Sequence, residues 1–118
     1  YAGDYMDGVI RVMERNEPDD YVFATGKLRS VKDFVNTTFR HVGIDLDWFG
    51  DGIDEIALNR SSQNLVVKID KHFYRPGDIK GTCGDASKAK LLLGWQPRTN
   101  LSSIISKMIS QEQDTTLP

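Results

Sequence analysis

A four-residue stretch, Arg75-Pro76-Gly77-Asp78, contains the residue types and spacing best suited to binding chemistry. Proline presets φ at the second position of a β-turn, and glycine accepts the positive φ of the third position. The spacing therefore predicts a tight turn that holds Arg75 and Asp78 close together. The planar fork of an arginine can bind a diphosphate, and an aspartate can accept hydrogen bonds from a ribose diol. A solvated ion pair on a surface turn is the alternative interpretation.

The next segment, Gly81-Thr82-Cys83-Gly84, precedes a predicted helix and has the glycine content of a phosphate-binding loop. However, Asp85 stands at the entrance of that helix, where its carboxylate would repel a bound phosphate. No strand precedes the segment, as a dinucleotide-binding fingerprint requires. A structural turn is therefore the favoured interpretation.

Catalytic and metal-binding patterns are absent from the sequence. None of the four tyrosines is followed four positions later by a lysine, so the chain has no catalytic Tyr-x-x-x-Lys pair. His41, His72 and Cys83 lack the short-range spacing of metal ligands. We therefore predict no catalytic residue, no cofactor-binding residue and no metal site in this chain.

The composition indicates the class of protein and its surroundings. The 118 residues are 39% apolar and 27% charged, which is typical of a globular protein. A net charge of −2 with interspersed signs argues against nucleic acid or an anionic membrane as partner. No apolar run reaches the ~20 residues of a membrane span. The single Cys83 favours a reducing, cytoplasmic compartment, and a start without methionine suggests a piece of a longer protein.

Apolar spacing predicts four helices to position these residues. They cover residues 4–15, 30–41 and 86–93, and a last stretch that starts at residue 101. The expected N-terminal caps are Asp4, Ser30 with Asp33 in a capping box, Asp85, and Asn100. Gly43 and Gly94 are expected to end the second and third helices. Residues 113–118 are expected to form a frayed tail.

Short strands are predicted between these helices. The alternating segment 44–48 and the segments 55–59 and 64–70 indicate three of them. The segment 21–25 is apolar on both sides, which predicts a buried strand of a covered parallel sheet.

Several blocks follow the order of one known family. They are Phe23-Ala24-Thr25-Gly26, 30–35, 41–48, Asp54-Glu55-Ile56, 64–70, 74–78, 84–90 and Leu93-Gly94-Trp95-Gln96-Pro97. Together they resemble the C-terminal part of the GDP-mannose 4,6-dehydratase family, which belongs to the extended short-chain dehydrogenases/reductases. The resemblance covers nearly the whole chain.

The resemblance implies an α/β fold, namely the substrate-binding part of an enzyme of the NAD(P)-binding Rossmann superfamily. Residues 1–26 would be a helix and strand that pack on an N-terminal Rossmann domain outside this chain. Residues 27–118 would form the nucleotide-sugar-binding region. The full-length enzyme would be a cytoplasmic lyase and a homo-oligomer, dimer or tetramer, with NADP as cofactor. This chain alone would be inactive and would bind no cofactor.

The resemblance also implies a substrate and roles for two residues. The family converts GDP-mannose to GDP-4-dehydro-6-deoxy-mannose, a precursor of GDP-fucose. Arg75 matches the family's arginine at the nucleotide diphosphate and ribose, and Asp78 matches its acidic ribose ligand.

Two alternatives remain open at the sequence level. The family usually has Pro-Thr-Glu-Val-Asp after the arginine, whereas this chain has Pro76-Gly77-Asp78-Ile79-Lys80. Lys80 replaces an acid and changes the local charge pattern. Because Arg-x-Gly-Asp is common among related epimerases, a nucleotide-sugar epimerase is the first alternative. A non-catalytic binding or interaction domain is the second.

Overall fold

The residues that the structure describes fold into four α-helices and one three-stranded antiparallel sheet, in agreement with the expected α/β class. The computed structural model describes residues 1–79 and 81–115. The helices are α1 (Ala2–Met13), α2 (Val31–His41), α3 (Ser87–Leu93) and α4 (Leu101–Thr115). The strands are β1 (Leu46–Phe49), β2 (Ile56–Asn59) and β3 (Leu65–Lys68), and short 3-10 helices span Gly52–Asp54 and Lys71–Phe73. None of the described helices is long and apolar enough to cross a bilayer.

The chain divides into two compact units, which we call the helical unit and the sheet unit. The helical unit comprises Tyr1–Arg29 and Gly81–Pro118, and the sheet unit comprises Ser30–Lys80. This division groups α1 with α3 and α4, although most of the chain lies between them in sequence. The predicted packing of residues 1–26 on a further domain stays a prediction.

Trp95 is the centre of the helical unit. Its side chain is only 1% exposed, and its ring lies 4.7 Å from the ring of Phe23 and 5.9 Å from that of Tyr5. Its indole Nε1 donates a hydrogen bond of 2.7 Å to the backbone oxygen of Asp4 in α1. At Gly8 of α1, an added Cβ would lie 2.7 Å from the Phe23 ring, so only glycine permits this approach. The aromatic cluster thus joins α1 to the segment after α3.

The C-terminal end of α3 is held by Arg11 of α1 and by Arg15, which follows that helix. Arg11 Nη1 donates to the backbone oxygen of Leu93 at 2.9 Å, and Arg15 Nη1 donates to that of Leu92 at 3.3 Å. These carbonyls belong to the last turn of a helix and have no partner within it. Gly94 follows at φ +62 and ends α3, as the sequence predicts.

Two predictions about the helical unit need comment. The segment 21–25 pairs with no strand among the described residues, so it is not a strand of the sheet in this chain, and its pairing in a Rossmann sheet outside this chain stays a prediction. Its apolar character instead reflects the packing of Phe23 on Trp95. Asp4 does not cap α1, since the helix begins earlier and its N-cap is Tyr1, with no side-chain hydrogen bond.

The carboxylate of Asp4 instead binds the segment before α4. It accepts hydrogen bonds from the backbone nitrogens of Thr99 (2.8 Å) and Arg98 (3.0 Å), and from the Thr99 hydroxyl (3.1 Å). The Thr99 amide is the largest influence that lowers the pKa of Asp4 below its usual value, and the Arg98 amide and the Thr99 hydroxyl add to it. The sequence could not reveal this contact because the partners are far apart along the chain.

We expect Asp4→Asn to flatten the acid limb of the chain's stability curve. A lowered folded-state pKa means that ionised Asp4 stabilises the fold above its unfolded-state pKa, about 3.9. That contribution disappears as pH falls through the folded-state pKa. Urea midpoints of parent and variant should therefore differ most near neutral pH and converge below about pH 4. A difference that stays constant across this range would contradict the assignment.

The beginnings of α3 and α4 agree in part with the predicted caps. Asn100 Oδ1 accepts a hydrogen bond of 2.8 Å from the Ser103 amide, which confirms the cap of α4. The N-cap residue of α3 is Ala86 rather than Asp85. The expected tail from residue 113 is wrong up to Thr115, where α4 continues, and residues 116–118 lie outside the described residues.

The sheet unit follows the sequence prediction closely. The strand order is β1-β2-β3, and Leu46 pairs with Asn59 while Ile56 pairs with Lys68. The three strands predicted in this region are therefore confirmed, with boundaries shifted by one or two residues. Ala57 at the centre of the sheet is fully buried.

Helix α2 is held to the sheet by side chains of both elements. Its capping box is confirmed, with Ser30 accepting from the Asp33 amide and Asp33 accepting from the Ser30 amide. Trp48 of β1 donates from Nε1 to Asn36 Oδ1 at 2.8 Å, and Lys32 lies 4.3 Å above the Trp48 ring. These contacts hold α2 against β1.

Candidate functional site

The segment that leads into the Arg75 turn is ordered by a single 3-10 turn. Asp70 caps it by accepting a hydrogen bond of 2.9 Å from the His72 amide through Oδ1. The Phe73 amide donates to the Asp70 carbonyl at 3.1 Å, and the Tyr74 amide donates to the Lys71 carbonyl at 3.3 Å. Tyr74 then has an extended backbone, with φ −69 and ψ 126. The segment that precedes the Arg75 turn is therefore fixed by backbone hydrogen bonds.

The predicted tight turn is present at residues 75–78. The Asp78 amide donates a hydrogen bond of 3.3 Å to the Arg75 carbonyl, and Gly77 has φ +91. Proline at the second position and a positive φ at the third are the features of a type II turn. A Cβ at Gly77 would meet no atom within 4 Å, so its glycine is required by backbone conformation alone. The turn brings Arg75 and Asp78 to the two ends of one hydrogen bond.

The side chains of Arg75 and Asp78 are exposed. In the parts of the chain that the structure describes, no salt bridge joins them or engages either one. The guanidinium donors of Arg75 and the carboxylate oxygens of Asp78 are therefore accessible to a ligand. Lys80, whose charge departs from the family pattern, lies outside the described residues.

The large apolar side chains on either side of this turn are exposed to solvent. Phe73 is 77% exposed, Tyr74 is 55% exposed and Ile79 is 78% exposed. Their residue types do not predict this exposure, because large apolar side chains are more often buried. Their exposure is a property of the tertiary structure.

The glycines of the segment 81–84 have a packing role in the helical unit. A Cβ at Gly84 would lie 2.6 Å from that of Ala24, and one at Gly81 would lie 2.9 Å from Leu28. Asp85 Oδ1 accepts a hydrogen bond of 2.8 Å from the Ser87 amide, so a carboxylate already lies at the first turn of α3. Hydrogen bonds from the Ser87 side chain and amide lower the pKa of Asp85. This geometry supports a structural turn rather than a phosphate-binding loop.

The described residues were also searched for a metal-binding site. Within residues 1–79 and 81–115, no group of three or more His, Cys, Asp or Glu side chains is placed to hold an ion. Cys83 is exposed and has no disulfide partner. The Arg75–Asp78 turn is thus the strongest candidate site.

A family model and several curated relatives all match this chain to the same family. The family model described as GDP-mannose 4,6 dehydratase matches residues 1–108. GDP-mannose 4,6 dehydratase 2 of Caenorhabditis elegans is 33% identical over 112 residues, which are 95% of this chain and 29% of that protein. GDP-mannose 4,6 dehydratase of Homo sapiens is 32% identical over 109 residues, which are 92% of this chain and 29% of that protein.

The relative from Drosophila melanogaster, also named GDP-mannose 4,6 dehydratase, is 33% identical over 95% of this chain and 28% of its own length. The chain therefore spans less than a third of the curated relatives it matches. The resemblance found in the sequence blocks is confirmed over nearly the whole chain. On the strength of this coverage, the chain belongs to the GDP-mannose 4,6-dehydratase family.

Proposed function

We propose that the full-length protein is a GDP-mannose 4,6-dehydratase, a lyase that converts GDP-mannose to GDP-4-dehydro-6-deoxy-mannose and water, in the pathway to GDP-fucose. The observation that carries this proposal is the match of 92–95% of the chain to relatives that bear this name. NADP would supply the hydride chemistry of this reaction, at C4 and C6 of the sugar. The cofactor would be bound outside this chain, in the N-terminal Rossmann domain.

The role of this chain in that reaction is to bind the nucleotide. The Arg75 guanidinium would donate hydrogen bonds to the diphosphate and ribose, and the Asp78 carboxylate would accept them from the ribose hydroxyls. Their exposure and their freedom from salt bridges in the described part of the chain support this assignment. The turn with Gly77 at φ +91 would keep both groups in place before the substrate arrives.

The partner of the helical unit in the full-length protein would be the Rossmann domain. Met6, Ile10 and Met13 of α1 recur at helical spacing and are 56%, 54% and 80% exposed. An apolar helix face of this kind is typical of a surface that another part of the protein covers. The cytoplasmic location and the dimeric or tetrameric state of the enzyme remain predictions of the sequence.

A nucleotide-sugar epimerase is the second candidate function. The observation in its favour is the sequence of the turn, Arg75-Pro76-Gly77-Asp78, which has the Arg-x-Gly-Asp form that is common among related sugar-nucleotide epimerases. Both enzymes would bind the nucleotide with the same two side chains. The loop therefore supports nucleotide-sugar binding in general, and the family match favours the dehydratase.

The test is to incubate the full-length protein with GDP-mannose and NADP and to analyse the product by mass spectrometry. We expect a nucleotide sugar that has lost one water and carries a ketone at C4. A product with the mass of the substrate and inverted stereochemistry would identify an epimerase. Binding of GDP-mannose without conversion would favour a non-catalytic binding domain instead.

A further inference from the structure

A cavity of the helical unit is lined by three basic side chains, those of Lys27, Arg29 and Arg98, and we call it the basic cleft. Its volume is about 300 Å³, at the lower end of the range of about 300–1,000 Å³ for ligand pockets. All the residues that line it belong to the helical unit. The cleft is therefore distinct from the Arg75 turn, which belongs to the sheet unit.

The three basic side chains form no salt bridge with any part of the chain that the structure describes. Asp4 contacts the same segment as Arg98. Its carboxylate, however, accepts hydrogen bonds from the amides of Arg98 and Thr99 and from the Thr99 hydroxyl. Three positive charges thus line one cleft of a chain whose net charge is −2. A cleft lined by charges of one sign raises the local concentration of the counter-ion.

Hydrogen bonds fix the backbone on both walls of the basic cleft. On one wall, the Lys27 amide donates to the Thr25 hydroxyl at 3.4 Å, and that hydroxyl donates to the Lys27 carbonyl at 3.3 Å. Gly26 between them has φ +66, which makes this tight loop possible. On the other wall, Asp4 holds the backbone at Arg98 with a bond of 3.0 Å. A ligand would therefore have to order only the ends of the basic side chains, which lowers the cost of binding.

A further part of the lining is apolar. It consists of the half-buried side chains of Pro97, Leu101 and Ile104. The cleft thus combines a group of cations with an apolar wall, and a ligand that fits it has an anionic group and an organic group.

A phosphate monoester has both of these groups. Arginine binds phosphate through its planar fork, and lysine binds it as a point charge. A phosphate monoester has a charge of about −1.5 to −2 at pH 7, so it neutralises three cations better than the single charge of a carboxylate does. We propose that the basic cleft binds the phosphate of a phosphate monoester, with the organic group of the ligand against the apolar wall. This site is additional to the nucleotide site of the proposed function.

The first test follows the δ1 methyl resonance of Ile104 in the full-length protein by NMR while phenyl phosphate is added. Ile104 lines the basic cleft, so the ring current of a bound phenyl group shifts this resonance whatever binds elsewhere in the protein. We expect a saturable shift, and none with phenol, which has no phosphate. Inorganic phosphate should displace phenyl phosphate but bind more weakly, because it cannot contact the apolar wall. Equal affinities would refute the role of that wall.

The second test removes the charges. The variants Lys27→Gln, Arg29→Gln and Arg98→Gln should each raise the Kd for phenyl phosphate about fivefold. The triple variant should show no saturable shift. Arg40→Gln removes the same charge from an exposed position of α2 and should stay within about twofold of the parent. Thermal melts of all variants should match the parent, since the substituted side chains are exposed.

The outcomes separate this proposal from the proposed function. An unchanged titration in the triple variant, or no saturable shift in the parent, would overturn the basic cleft as a binding site. Arg75→Ala should leave the titration of Ile104 unchanged, and a loss equal to that of Arg98→Gln would refute a separate site. The dehydratase assignment stands in each of these cases, because it is tested by the product formed from GDP-mannose.

Discussion

Replacement of Trp95 by alanine should destabilise the helical unit by about 3–5 kcal/mol, the range for truncating a large buried aromatic side chain. Trp95 is 1% exposed, so the truncation would leave a cavity between Phe23 and Tyr5. It would also remove the hydrogen bond from Nε1 to the Asp4 carbonyl. Because a domain's whole stability is about 5–15 kcal/mol, we expect a large fall in the urea midpoint of the chain. Circular dichroism would follow the loss of helix.

Leu91 provides the matched control for this experiment. Leu91 lies in α3, four residues before Trp95, and its side chain is 82% exposed. Leu91→Ala should therefore change the free energy of unfolding by less than about 0.5 kcal/mol. If the two variants unfold at similar urea concentrations, Trp95 is not the centre of this core.

Replacement of Arg75 by alanine in the full-length enzyme should raise KM for GDP-mannose by about 10- to 150-fold. The lost interaction is a charge-assisted, bidentate hydrogen bond worth about 1.5–3 kcal/mol. The nucleotide does not react, so the contact is nearly equal in the ground and transition states and kcat should change less. Arg75→Lys should recover only part of the loss, since an ammonium cannot reproduce the planar fork. Steady-state kinetics and a thermal melt of each variant give the result.

Arg40 is the corresponding control for a change of surface charge. It is an exposed arginine in the last turn of α2, in the same unit as Arg75. Arg40→Ala should leave KM within about twofold of the parent. A similar result for Arg75→Ala would make Arg75 an ordinary surface residue. A collapse of its thermal melt would instead assign it a structural role.

The features that the sequence predicted correctly depend on residues close together in the chain. The capping box of Ser30 and Asp33 needs only two side chains and two amides, three positions apart. The same holds for the turn at Pro76 and Gly77, and for the end of α3 at Gly94. Local backbone preferences and hydrogen bonds are sufficient to specify these elements, so no knowledge of the remaining fold was needed.

The residue pattern was sufficient to predict the family, the four helices, the three-stranded region and the position of the candidate turn. The partners that lie far apart along the chain could be found only in the folded structure. Asp4 is a good capping residue by type, but its carboxylate binds the amides of Arg98 and Thr99. Phe23 lies in an apolar run typical of a strand, yet it packs on Trp95 without a strand partner. The exposure of Phe73 likewise follows from where the chain folds, because burial depends on all the residues that surround a side chain.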